Sequence, residues 1–414
     1  MSLALINIKQ LVTVRSNGLP VKAGVAMHDL GVDENACVLT DNGRIRWVGS
    51  MQDVTMGSLK EAEVVDCSNK VVLPGFVDSH THALFAGSRE EEFALRTMGL
   101  SYEDIAAKGG GILSTVAQVR ASSKRGLKKN AVRRLNGMLM HGTTTVEVKS
   151  GYGLDFDNEV KMLEVINELS DEEVIGIVPT FIGAHAIPPE FSDKPKEYVE
   201  LICSKMIPYI ARRQLAVFCD VFCERGYFDL VDAARILSVA RDNGMELKIH
   251  AEELSQSGSA ELAGRLGVVS ADHLENISDE GIDALCKGRV VATLLPGVSF
   301  FLHHQYAPAR KLIEKGVAVA IASDFNPGSC MSYSMPMMMT IACTQMQMTP
   351  EEAITASTLN AAAALGKSNE IGSIEAGKRA DMVILDLPNY KMLPYHFAEN
   401  HVWRVIKAGA LLEF

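Results

Sequence analysis

What this chain lacks narrows it at once. No window approaches the roughly 18 uninterrupted apolar residues that a membrane-crossing helix needs. The opening Met1-Ser-Leu-Ala-Leu-Ile-Asn-Ile-Lys9 has no basic region ahead of a long apolar stretch, so it reads as a β-strand and not as a secretory leader. No long basic run is present, and the formal charge of −11 argues against nucleic-acid or anionic-membrane partners. The eight cysteines are scattered without the spacing of a disulfide scaffold. Cys219 and Cys223 share a face if Cys219-Asp-Val-Phe-Cys223 is a strand; with no other Cys or His nearby they read as buried free thiols. A reducing, cytoplasmic setting is expected. No repeat or low-complexity segment stands out.

What is there suits a soluble enzyme. The chain has 414 residues, 47% hydrophobic and 22% charged, enough for one large domain and a small one. Residues 1–65 read as short strands (Leu3–Val14, Ala36–Thr40, Ile45–Val48, Glu63–Val65) around turn clusters such as Asp41-Asn-Gly43. From about residue 71, strand-length apolar runs alternate with helical stretches, among them Arg120–His141, Asn158–Leu169, Glu197–Arg213 and Asp229–Asn243. The strand candidates are Phe76–His82, Thr143–Lys149, Ile175–Ile182, Ala216–Cys223, Glu246–His250, Val268–His273, Val290–Leu294 and Val317–Ser323. Eight strands with helices between them predict a TIM-like (β/α)8 barrel. The chain turns β-rich again in Ala380–Leu387 and Val402–Leu411. The simplest arrangement is a catalytic barrel over 69–364 and a small composite β-sandwich domain built from 1–68 plus 365–414.

Barrel enzymes keep their chemistry at the C-terminal ends of the strands. Strand one ends in His80-Thr-His82, whose two imidazoles point the same way because strand side chains alternate. Strand five ends in Lys248-Ile-His250, strand six in Ser270-Ala-Asp-His273 and strand eight in Ala320-Ile-Ala-Ser-Asp324. Barrel closure brings them to one rim. Three imidazoles and a carboxylate suit zinc or iron(II) far better than calcium or magnesium. His80, His82, His250 and Asp324 are therefore the expected ligands of a single metal ion. Taken singly, His250 also suits a satisfied core histidine and Asp324 a helix cap. A carboxylated lysine bridging two metals would be expected at the end of strand four; Ala216–Cys223 has no lysine, and Lys149 follows strand two.

This pattern resembles the amidohydrolase superfamily in its single-metal form. Gly372-Ser-Ile-Glu-Ala-Gly-Lys-Arg-Ala-Asp-Met-Val-Ile-Leu-Asp386 is similar to that superfamily's closing segment. Five blocks narrow the resemblance to one branch: His80 through Arg89, Lys108-Gly-Gly-Gly-Ile-Leu-Ser-Thr115, Glu147-Val-Lys-Ser-Gly-Tyr-Gly153, Ile182-Gly-Ala-His-Ala-Ile-Pro-Pro189 and Ser323-Asp-Phe-Asn-Pro-Gly-Ser329. Glu252, where an aspartate is frequent, and Ala83 are small departures.

The resemblance implies hydrolysis of the ring amide of 4-imidazolone-5-propanoate to N-formimidoyl-L-glutamate, a step of histidine degradation, with one zinc or iron ion per subunit and a homodimer. It implies that Asp324 is ligand and general base, that His273 stabilises the oxyanion and that Glu253 contacts the ring and moves a proton. Arg89 and Tyr152 would hold the propanoate and His185 the ring. Asn326, Gly328 and Ser329 would hold the end that becomes the new carboxylate. Residue by residue, plainer readings exist: a structural His273, a solvated Glu253, a surface Arg89 and a packed Tyr152. His28, His396 and His401 are expected in the terminal β-domain, His141 at a helix end and His303-His304 after strand seven. Met335-Pro-Met-Met-Met339 is expected to be helix packing. Two rivals remain: an aminohydrolase releasing ammonia from a purine or pyrimidine, and a barrel that has lost catalysis and serves as a scaffold.

Overall fold

The computed structural model describes residues 2–60, 62–100 and 110–413, so Lys108 and Gly109 of the glycine-rich block lie outside the described residues. The chain opens with β1 (Ser2–Val12), β2 (Val32–Asp41), β3 (Arg44–Ser50), β4 (Glu63–Asp66) and β5 (Val71–Pro74). The barrel strands follow: β6 (Phe76–Asp78), β7 (Thr143–Lys149), β8 (Gly176–Ala184), β9 (Phe218–Cys223), β10 (Glu246–Ala251), β11 (Ser270–His273), β12 (Val291–Leu294) and β13 (Val319–Ile321). The chain closes with β14 (Met382–Leu385), β15 (Val402–Lys407) and β16 (Ala410–Leu412). Seven of the barrel strands fall within two residues of their expected bounds, because each is a buried run bounded by turn residues, whereas the first stops at Asp78, four residues short of His82.

Strands β6 to β13 pair in sequence order, all parallel. The ring closes just beyond the strand ends, where Thr81 bridges to Phe325 and the His82 N–H donates to the Phe325 carbonyl at 3.0 Å. Asp78 secures the same seam by accepting from the Ser323 N–H (2.9 Å) and hydroxyl (2.5 Å). Both termini build one mixed sheet in the order β16-β15-β14-β5-β1-β2-β3, with β4 beside β1. Leu3, Leu5, Val38 and Ile45 from its front half share an apolar cluster with Met382, Ile384 and Ile406 from its back half.

Several expectations shift. Val71–Pro74 pairs with β14 and β1, so the strand just after the expected 68/69 division hydrogen-bonds with the terminal strands. The expected helix Arg120–His141 is two helices, Ile112–Ala121 and Lys124–Met140. Ser123 restarts the second by accepting from the Gly126 N–H. The helix around Glu197–Arg213 carries a π turn at Ile202–Met206, just ahead of Pro208, whose missing N–H disturbs the ladder. His28 does not sit in the terminal sheet. It ends the short turn Gly24–His28, which packs on the barrel-side helix Pro350–Ala356 through Thr355 donating to the Met27 carbonyl at 2.8 Å. The methionine run lies in the helix Met335–Gln345, with Met335, Met338 and Met339 buried as expected. Cys219 and Cys223 are buried free thiols.

Candidate active site

The sequence places imidazoles at strand ends, and closure of the barrel gathers them. His80 and His82 lie just past β6, His250 in β10, His273 at the end of β11 and Asp324 three residues past β13. All five are buried. The His80 ring is 4.5 Å from that of His250 and 5.6 Å from those of His82 and His273. Asp324 Oδ1 is 3.4 Å from His80 Nε2 and 3.6 Å from His82 Nε2. His273 (φ 81°) and Asp324 (φ 49°) sit in the left-handed region, which costs strain in non-glycine residues and recurs at functional sites.

Two overlapping donor sets arise: His80, His82 and Asp324, and His80, His250 and His273, each with its ligand atoms within 4.8 Å of one another. The decisive feature is what these atoms lack. His80 Nε2, His250 Nε2 and Asp324 Oδ1 are buried without a hydrogen-bond partner. Leaving such groups unsatisfied costs about 1–3 kcal/mol each. A cation placed among them satisfies all three, and the imidazole–carboxylate donor set suits a transition metal. The residues fit a metal ion.

A layer of charge lies beneath. His80 Nδ1 is 2.6 Å from Asp272 Oδ2, and His250 Nδ1 is 3.0 Å from Asp220 Oδ2. Such carboxylates fix the tautomer that turns the other nitrogen toward a metal. Lys149 Nζ contacts Asp220 (2.7 Å) and Glu147 (2.9 Å), while Lys248 Nζ contacts Glu147 (2.9 Å) and the Ser79 carbonyl (2.8 Å). These side chains are all fully buried. Counting Asp324, four carboxylates face two ammoniums, and a divalent cation would balance them. Asp220 suffers from burial, but His250 and Lys149 outweigh that and hold its carboxyl well below the ordinary range. Sequence reasoning missed this layer. Its signal was the period-two placement of Glu147 with Lys149 and of Lys248 with His250, charged side chains facing inward along barrel strands.

His273 occupies the far side, with Nε2 3.5 Å from Glu253 and Nδ1 3.7 Å from Glu275. Burial disfavours the charged imidazole, yet Glu253, Glu275 and Asp324 outweigh it and raise its pKa to about 10. Burial pushes the Glu253 carboxyl up to about 7, with the nearby imidazole opposing. Glu253 is not a solvated helix start. Its loop is held by Glu224, which accepts from the N–H groups of Leu254 (2.9 Å) and Ser255 (3.2 Å), and by Asn276, which donates to the Glu253 carbonyl at 2.7 Å.

Above the donors opens a cavity of about 600 Å³, lined by His82, His250, His273, Asp324 and Glu253 and also by Arg89, Tyr152, His185, Asn326, Gly328 and Ser329. Every residue expected at the site reaches it or its floor. Arg89 is no surface arginine: its side chain is 9% exposed and pairs with Glu92 at 2.6 Å, and its backbone stands at the N-cap of the helix Glu90–Thr97. Gly328 packs on it so closely that an added Cβ would lie 2.1 Å from Arg89 Nη1. His185 stacks on His82 (centroids 4.8 Å apart) and touches the Gly151 carbonyl through Nδ1 at 3.0 Å. The Gly151-Tyr152-Gly153 turn is pinned by buried Glu159, which accepts from the N–H groups of Gly151, Gly153 and Leu154. Asn326 Nδ2 (3.0 Å) and Ser329 Oγ (3.2 Å) both donate to Asp324 Oδ2, which leaves Oδ1 to face the histidines. Arg96, Tyr227 and His304 also line the cavity; the first two were not anticipated.

Comparison with known proteins agrees with this geometry. The amidohydrolase family model matches residues 71–412. The chain belongs to the amidohydrolase family. It is 48% identical over 406 residues to the imidazolonepropionase of Parabacteroides distasonis, covering 98% of this chain and 97% of that one. It is 46% identical over 407 residues to that of Geobacillus kaustophilus, covering 98% and 96%. Among solved structures, guanine deaminase from E. coli superposes with a TM-score of 0.77 at 14% identity, covering 100% and 99% of the two chains. An adenosine deaminase from Xanthomonas campestris with bound zinc gives 0.71 at 19% identity, covering 99% and 92%. These two share the fold. The amidohydrolase is thus a hydrolase, and among the described residues no helix is long and apolar enough to cross a membrane.

Proposed function

We propose that this amidohydrolase opens the ring amide of 4-imidazolone-5-propanoate, giving N-formimidoyl-L-glutamate, with one zinc or iron(II) ion per chain held by His80, His82, His250 and Asp324. The observation that carries it is a single cavity with metal-type donors on its floor and the buried guanidinium of Arg89 on its wall. A substrate with a reactive amide and a carboxylate meets both at once. Relatives at 46–49% identity, named imidazolonepropionase, support the same reading.

The ion would supply Lewis acidity, making hydroxide available from water near neutral pH. Asp324, beside the ion it would help to hold, is placed to take the proton of the attacking water. Negative charge then builds on the ring carbonyl oxygen, and His273 donates to it from the opposite side. Glu253, whose carboxyl burial pushes up to about 7, gives a proton to the departing ring nitrogen as the C–N bond breaks. The new carboxylic acid then gives its proton to Glu253, and Asp324 releases the one it took to solvent. Arg89 clasps the propanoate, whose carboxylate matches the guanidinium's two-pronged geometry. His185, stacked on His82, is placed to meet the ring, and Tyr152 adds its hydroxyl to the propanoate end of the cavity. Asn326 and Ser329 keep Asp324 aimed, and their loop borders the new carboxylate.

The test is an assay on enzymatically generated imidazolone propanoate, following loss of its ultraviolet absorption. Turnover that needs the metal supports the reading. No turnover of this substrate, with free ammonia released from guanine or cytosine, would replace it by an aminohydrolase.

A further inference from the structure

The charged layer under the donors is more elaborate than orienting two histidines requires. His80, Glu147 and Asp272 each offer a ligand atom, all within 4.8 Å of one another and all buried. That is a second cation pocket, sharing His80 with the first. It is already filled by the chain itself. Lys149 Nζ lies 2.9 Å from Glu147 Oε2, 2.7 Å from Asp220 Oδ2 and 3.7 Å from Asp272 Oδ2. Lys248 Nζ lies 2.9 Å from Glu147 Oε2 and 3.5 Å from Asp272 Oδ2, and is tied besides to the Ser79 carbonyl.

The two lysines are not equivalent. Lys248 lies slightly nearer Asp272, but only Lys149 reaches Asp220, so it alone faces both carboxylates that touch metal-site imidazoles. Asp220 Oδ2 is the oxygen near His250, and Asp272 Oδ2 the oxygen against His80. An ammonium is a compact charge with three donors, close in size and sign to a small cation, but it cannot leave. We infer that Lys149 is a resident cation that keeps the site mononuclear: its ammonium stands in the place of a second metal ion and holds Asp220 and Asp272 in line behind His250 and His80. It is a positioning residue, two contacts removed from any substrate.

The inference rests on the metal reading above but not on the substrate, and metal stoichiometry tests it without turnover. His396, Glu399 and His401 form a separate partly exposed cluster able to take a stray ion, so all proteins are compared in a His401→Ala background. After dialysis against excess Zn²⁺ and removal of loose metal, the parent should hold one ion per chain. Lys149→Ala, which removes charge and bulk together, should hold two. Lys149→Met, which keeps bulk, should hold one ion at least tenfold more weakly in chelator competition, with an altered visible spectrum when loaded with Co²⁺. Both variants holding one ion with the parent's affinity and Co²⁺ spectrum would overturn the inference. If neither variant folds, the parent decides: a second tightly held ion refutes the inference, and saturation at one supports it. A parent that binds no ion overturns this inference together with the metal reading. Failure of the imidazolone assay leaves the stoichiometry untouched and counts against the substrate alone.

Discussion

The two ends of the barrel are built from the same strands and could hardly differ more. At the N-terminal end Val77, Val178, Phe218, Val291 and Ala320 point inward and meet Ala361, Ala362, Ala364, Leu365 and Ile371, which seal the barrel from below. Further up the barrel, on β7, β9, β10 and β11, come the buried charges of Glu147, Lys149, Asp220, Lys248 and Asp272, and above them the histidines. The layers touch: Lys248 Nζ lies 5.7 Å from the Phe218 ring centroid. The lower end gains stability by removing apolar area from water. The upper end gathers polar atoms with no partner, which stabilises nothing until a ligand arrives. The bottom holds the barrel shut, so that the top can stay strained and unsatisfied.

The largest effect should come from removing what the upper end is built to hold. Stripping metal with a chelator should abolish activity, and zinc or iron should restore it. With the proposed set of four ligand groups, His250→Ala should lose most of the metal along with turnover. The apolar end is intact in both cases, and the circular-dichroism spectrum should stay that of a folded barrel. Metal content unchanged in His250→Ala would remove that histidine from the ligand set.

His273 sharpens the contrast within the upper end. One of its ring nitrogens lies within 4.8 Å of ligand atoms of His80 and His250, so ligand and oxyanion donor are geometrically adjacent roles. If it stabilises charge that develops only in the transition state, His273→Ala should lower kcat by about 10²–10³-fold. KM should change little and metal should stay near one per chain. Loss of the ion would make it a ligand instead.

The lower end is probed by Leu365→Ala. Leu365 is 2% exposed in the apolar plug, and a buried Leu→Ala change costs about 2–5 kcal/mol including the cavity left behind. Thermal or urea unfolding should register that loss, while kcat per folded molecule and metal content stay as in the parent. A coupled loss of metal would show that the two ends are not independent.

The sequence revealed these layers unequally, for a physical reason. His80 and His82 announce themselves because two imidazoles share one strand end, and His250, His273 and Asp324 because each ends a separate apolar run. The middle layer has no such local mark. Asp272 meets His80 across 192 residues, and Lys149 meets Asp220 across 71, so only closure of the barrel decides which carboxylate faces which base. Glu159 and Glu224 were invisible for a similar reason: each reads as a helix or loop glutamate until its acceptor oxygens are seen pinning the turns that carry Tyr152 and Glu253. The terminal sheet was legible in its strands. Its boundary along the chain was not, since Val71–Pro74 is as apolar as a barrel strand and only its pairing with β14 and β1 assigns it.

The smallest effect expected lies at the cavity wall, where Arg89 and Gly328 form one device. Arg89→Lys keeps the charge but gives up the planar fork, so substrate binding should weaken by about 1–3 kcal/mol, read as a higher KM or lower kcat/KM. Gly328→Ala should reproduce part of that loss with the arginine intact, because the new Cβ would lie 2.1 Å from Arg89 Nη1 and must push the guanidinium aside. The glycine has no positive φ to preserve, so the substitution tests space and not backbone freedom. Neither change touches the metal donors or the plug, and metal content and unfolding should match the parent. In the double variant the two losses should not add, since a displaced fork and a missing fork fail the same carboxylate. Additive losses would mean that Gly328 acts on the substrate by its own backbone. If Arg89→Lys and Arg89→Ala both left kcat/KM unchanged, the carboxylate would have to be held elsewhere on the wall, with Tyr152 the next residue to substitute.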